Sequence, residues 1–103
     1  MIADTEIMGP AQWNATLQGA AMAAIIAERR EQLRRGHDAD ADAMLPLDAL
    51  PRAAGEYLRI AKECIQGIHG EQDLIRAQKK LAQSAALMMA AYDRLELVTA
   101  AKA

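Results

Sequence analysis

The chain has 103 residues and a formal net charge of −2, which gives room for one domain with a modest core. That charge supplies no broad positive field, so neither nucleic acid nor an anionic membrane is expected as a partner. Alanine fills 24 positions, Phe is absent, and Trp13, Tyr57 and Tyr92 are the only aromatics. Such a composition favours helix strongly but buries little area per residue.

No run of about 18 apolar residues exists, so no transmembrane helix is predicted, and no basic stretch precedes an apolar run at the start, so no signal peptide is predicted. The lone Cys64 cannot form an internal disulfide, which fits a cytoplasmic, reducing compartment. A single domain over 1–103 is expected, with residues 1–9 flexible.

The first predicted helix spans 10–35. Pro10 suits its first position and Gly36 its C-terminal cap. Trp13, Leu17, Ala20, Ala21 and Ala24 form one stripe, extended by Met22, Ile25, Ile26 and Leu33. Ala15, Gly19, Ala23 and Ala27 recur every four residues, a small-residue strip where another helix could approach. Arg29, Arg30, Arg34 and Arg35 lie where cations complement the helix dipole, and Glu31 and Arg35 have the favourable spacing of four.

Asp38, Asp40 and Asp42 follow at every second position. A calcium loop of the EF-hand type needs Gly at its sixth position and Glu at its twelfth. Counted from Asp38, those positions hold Ala43 and Ala49, so the match fails twice and a solvated connection is expected. His37 and Asp38 form an H-D pair, but the only other histidine is His69. The second predicted helix covers 48–69, with Asp48 as N-cap and Gly70 as its stop. Its core stripe is Leu50, Ala54, Tyr57, Ala61, Cys64 and Ile68, widened by Leu58 and Ile65. The third covers 71–99, opening on the acidic turn Glu71 to Asp73. Leu74, Gln78, Leu81, Ala85, Met88, Tyr92 and Leu95 give it the same periodicity, with Ile75, Ala82 and Met89 alongside. The short connection predicts that the second and third helices form a long antiparallel hairpin within an all-α three-helix bundle.

Two chemical readings attach to this frame. If the first two helices run antiparallel, Glu28, Glu31 and Glu56 stand at similar heights. With Asp38 or Asp42 they could hold Mg²⁺, which takes oxygen ligands, as in all-α nucleotide pyrophosphohydrolases of the MazG type. Those enzymes carry E-x-x-E on one helix and E-x-x-D on the next. Here Arg59 stands three residues after Glu56, where an acid is required, and it can pair with Glu56 or Glu63 instead. Without that alternative no cofactor is expected. No nucleophile set, phosphate loop or zinc spacing accompanies these residues, and Cys64 on an apolar stripe is an inert thiol. The other reading is binding, through Arg29, Arg30, Arg34, Arg35, Asp38, Asp40 and Asp42. Such arginines could also hold the phosphates of a sequestered nucleotide signal in an oligomer.

"AERREQLRRGHDADAD", "AAGEYL" and "DLIRAQKKLAQSAALMMAAYDRL" resemble a group of small phage and prophage proteins. Ala27, Glu28, Arg29, Gln32, Gly36 and Asp38 match their A-E-R-x-x-Q-x-x-x-G-x-D helix end. Asp73, Leu74, Ile75, Arg76 and Ala77, then Arg94 and Leu95, match their closing helix, and the likeness spans roughly residues 24 to 97. The resemblance implies a mobile-element context inside a host cell but no carried-over activity. A non-catalytic accessory protein that binds a host protein, in the manner of an anti-CRISPR, is the expectation. Homo-oligomerisation is expected too, because Met88, Met89, Leu95 and Val98 can leave an apolar face on the last helix.

Overall fold

The computed structural model describes residues 19–102. The calls on residues 1–18, including Pro10 as a helix start, Trp13 and Leu17 as core, and 1–9 as flexible, fall outside the described residues. The fold is all-α: α1 (Gly19–Arg34), a single turn α2 (Ala39–Asp42), α3 (Ala49–Gln66) and α4 (Leu74–Lys102). Among the described residues no helix is long and apolar enough to cross a membrane.

α1 ends where the sequence placed its end. Gly36 takes φ +93°, the His37 amide donates to the Gln32 carbonyl and the Gly36 amide to that of Leu33. Together these make a Schellman cap, which consumes two otherwise orphaned carbonyls. The aspartate run is not wholly a loop. Asp38 accepts from the Ala41 amide at 2.9 Å and nucleates the turn α2, because a short acidic side chain can satisfy an exposed helix-start donor.

α3 starts directly after Asp48, as expected, though Asp48 makes no capping hydrogen bond; its carboxylate instead pairs with Arg52 at 3.1 Å. Two other boundaries differ from expectation. α3 stops at Gly67 rather than Gly70. Gly67 adopts φ +70° and its amide donates to the Glu63 carbonyl. A Cβ there would lie 2.9 Å from the Gly70 carbonyl oxygen, so only glycine fits the turn. Asp73 then accepts from the Arg76 amide at 3.0 Å and opens α4, three residues later than the acidic-turn reading placed the helix start.

α4 is the element on which both long neighbours pack. Against α3 the contacts run in opposite chain directions. The Asp73 amide donates to the Cys64 carbonyl, Ser84 Oγ donates to the Ala54 carbonyl at 2.8 Å, and Leu50 packs on Ala90 and Ala91. Those pairs define an antiparallel hairpin. Against α1 they run in the same direction: Lys79 pairs with Glu28, and Gln32 Nε2 reaches the Gln83 carbonyl at 3.5 Å. α1 and α3 make no substantial contact with each other, so the three long helices sit two on one.

The core is made of small side chains. Buried apolar residues are Leu50 and the alanines Ala54, Ala61, Ala77, Ala86, Ala90 and Ala91. Alanine facing alanine lets helix axes approach to about 8 Å, close enough for the Ser84 hydroxyl to touch the neighbouring backbone. The predicted core stripe of the last helix is overturned. Leu74, Leu81, Met88, Tyr92 and Leu95 are all exposed, and Ala77, Ser84, Ala86, Ala90 and Ala91 face inward in their place. The stripe of the second helix holds at Leu50, Ala54 and Ala61, while Ile68 is exposed.

Candidate functional site

The arginines and aspartates between 29 and 42 divide into two groups. Arg29 is drawn inward. Its guanidinium donates to Gln32 Oε1 at 3.3 Å and to the His37 carbonyl at 3.2 Å, and it stands 3.9 Å from the buried carboxylate of Asp42. This side chain fastens the end of α1 to the following turn and to α2. Buried charge is tolerable here because each group has a partner. Arg94 does similar work from α4, donating to the Pro46 carbonyl at 3.0 Å and also to that of Leu45.

The second group faces solvent. Arg34 grips Glu31 with two hydrogen bonds, 2.9 and 2.5 Å, and Arg35 adds a third at 3.0 Å. The Arg34 hydrogen bonds, with the charges of Arg34 and Arg35, hold the Glu31 carboxyl down at about 2. Arg30 and Asp40 are exposed. A shallow pocket of about 280 Å³ separates α2 from the end of α4, with Arg29, Asp42, Asp93 and Arg94 among its walls.

The structure does not gather Glu28, Glu31 and Glu56. Glu28 is buried against Lys79, Glu31 is held by Arg34 and Arg35, and Glu56 is held by Arg59. Arg59 reaches Glu63 as well, whose other oxygen lies 2.7 Å from His69 Nε2. Hydrogen bonding from Arg59 lowers the Glu56 pKa. At Glu63 the His69 hydrogen bond does so first, followed by the charge and hydrogen bond of Arg59. Among the described residues no three His, Cys, Asp or Glu side chains converge as a metal site would require.

Apolar surface is the larger feature. Seventeen large apolar side chains are exposed, whereas Leu50 is the one such side chain buried among the described residues. A second concavity, about 670 Å³, opens between the first half of α1 and α4. Ala21, Ala24, Ile25, Leu81, Ala82 and Ala85 line it, and Glu28 with Lys79 lie at its margin. Met22, Ile26 and Leu33 of α1 are exposed as well. Lys79, Ser84 and Arg94 fix the packing, and periodicity gave no sign of them. The outward stripe of α4 was visible as a pattern, but pattern alone does not say which face a helix turns inward.

Comparison of the chain with protein-family models, curated proteins and solved structures gave no match.

Proposed function

We infer that this chain is a non-catalytic binding protein of the small phage or prophage accessory kind that its sequence resembles, with a host protein as its target. One observation carries the reading: among the described residues seventeen large apolar side chains are exposed, while the buried apolar set is Leu50 and six alanines. Extended apolar surface on a small protein marks a place where another macromolecule sits. Inhibition of a host defence system is the form of action proposed, since an inhibitor of that kind needs a shaped surface and no chemistry. The solvent-facing cations Arg30, Arg34 and Arg35 supply the charged rim that guides encounter.

The competing Mg²⁺-dependent hydrolase of the MazG type requires converging carboxylates that clamp the metal and its phosphate oxygens. Glu28, Glu31 and Glu56 each answer to a different cation in this fold. Sequestration of a nucleotide signal would need Arg34 and Arg35 to release Glu31 before holding a phosphate. The test presents a panel of nucleoside triphosphates with Mg²⁺ or Mn²⁺ and looks for monophosphate by mass spectrometry. No turnover is expected, either from the wild type or from Glu28→Gln with Glu56→Gln. Robust turnover that disappears in the double variant would overturn the binding reading. In parallel, charge reversal at Arg30, Arg34 and Arg35 is expected to weaken capture of the host target and to lower its salt sensitivity.

A further inference from the structure

Leu74, Leu81, Met88 and Leu95 recur at every seventh residue of α4, and each is 42–55 % exposed. Four residues beyond each stand Gln78, Ala85, Tyr92 and Thr99. The two sets alternate in steps of four and three, which is the seam of a left-handed coiled coil. From Leu74 to Leu95 the seam carries no charged residue along roughly 30 Å of helix. Among the described residues, Gln78, Leu81 and Ala85 of the seam open into the concavity beside α1, and Met88, Tyr92 and Leu95 are exposed. α3 engages α4 through Ser84, Ala90 and Ala91, and α1 engages it through Lys79 and Gln83.

We propose that this seam joins two copies of the chain, α4 against α4, as a coiled-coil homodimer. A seven-residue period sustained from Leu74 to Leu95 calls for a helical partner, because only another helix offers holes at the same spacing. A second copy meets the other requirements as well. An uncharged seam does not repel itself, and it offers nothing for a charged partner to select. Paired antiparallel about a two-fold axis, the small Ala85 of one copy meets the long Met88 of the other, and Leu81 meets Tyr92. Residue i then meets j while j meets i, as a self-complementary interface demands.

The area suffices. With Tyr92 at 66 % exposure, the five large seam side chains offer about 500 Å² per copy, taking roughly 200 Å² for a fully exposed large side chain. Exposed Met89, Leu58 and Ile65 raise the available surface toward the approximately 800 Å² per partner of a stable interface. Leu58 and Ile65 are a heptad apart on α3, and by helical phase they lie on the same side of the hairpin as the seam. This inference goes beyond the binding reading, since a dimer needs no host target.

Light scattering and sedimentation of the full chain at high micromolar concentration test it. Twice the chain mass of 11.2 kDa is expected. Leu81→Glu with Met88→Glu, and Leu81→Lys with Met88→Lys, should each abolish the dimer, and mixing the two variants should restore a one-to-one complex even if either alone folds poorly. Ile75→Lys, at an exposed position off the seam, should leave the mass doubled. A monomeric wild type would overturn the proposal and leave the seam to another protein's helix. A dimer that survives both charged variants would overturn it too, by placing the interface elsewhere. Failure of the mixed variants to associate would do the same. Partner capture is scored separately, so loss of the dimer and loss of the host-binding reading are told apart.

Discussion

Glu31, Glu56 and Glu63 show how charge on this chain is spent on local structure. All three carboxyls are held below their ordinary value of 4.5, Glu31 at about 2 by its hydrogen bonds from Arg34. In that window the unfolded chain binds protons that the folded chain does not, so stability is complete above the ordinary carboxylate range. It is lost as pH falls from 4.5 toward about 2. Glu56 is exposed and Glu31 and Glu63 are half-buried at the surface, so the effect is partly screened and added salt should shrink it. Helicity followed by circular dichroism across that range should decline, and Glu31→Gln should decline less steeply because one linked proton is gone. An identical profile for variant and wild type would show that the Arg34 clasp contributes nothing.

Leu50 offers a residue-scale contrast with the seam. It is the one large apolar side chain within the buried set, packed on Ala90, Ala91 and Leu87. Leu50→Ala is expected to cost about 2–4 kcal/mol by denaturant titration, from lost transfer energy plus an unfilled cavity. Ser84→Ala should cost about 0.5–1.5 kcal/mol, the net value of its hydrogen bond to Ala54.

For the elements, the hairpin between α3 and α4 depends on two features, a tight turn and a close approach. Gly67→Ala should destabilise by at least about 1 kcal/mol, because the left-handed backbone penalises a Cβ and the Gly70 carbonyl already occupies its space. Ala54→Leu forces extra methylene volume between helices that touch backbone to side chain, for about 1–3 kcal/mol. A thermal melt of each variant reads both. An Ala54→Leu protein as stable as wild type would mean that the two helices can separate freely. α1 is joined differently, by Glu28 with Lys79 and by Gln32 with the Gln83 carbonyl. Polar seams of that kind are worth less than buried apolar area, so α1 should be the first long helix to exchange its amide hydrogens.

At the scale of the molecule, six of the seven buried apolar residues among those described are alanines, and a methyl-lined core gives small returns per residue. Stability should therefore draw on association. If the α4 seam pairs with a second copy, the thermal midpoint must rise with protein concentration, since a partner that binds only the folded state stabilises by mass action. A midpoint constant over a hundredfold dilution, with the wild type folded throughout, would contradict that coupling. The same thin core explains why so many large apolar side chains are exposed among the described residues: the side chains that a bigger domain would bury have no interior to enter.

Local chemistry alone determined much of this protein. Alanine-rich amphipathic segments could only be helices, Gly36 could only end one, and Arg59 three residues after Glu56 forecast the ion pair that now holds that carboxylate. Each of these depends on neighbours within a few positions, which the sequence displays directly. The facing of α4 was different. Two stripes, one of Leu, Met and Tyr and one of Ala and Ser, both repeat with helical period along it. Hydrophobicity favoured the larger residues for the core. Only the tertiary structure decided otherwise, because α3 presents Ala54 and Ala61, and small residues on both helices permit a closer approach than large ones would. The scattering of Glu28, Glu31 and Glu56 among separate cations was equally a matter of tertiary placement. Equal heights on two helices bring carboxylates together only if those helices touch, and α1 and α3 each pack on α4 instead.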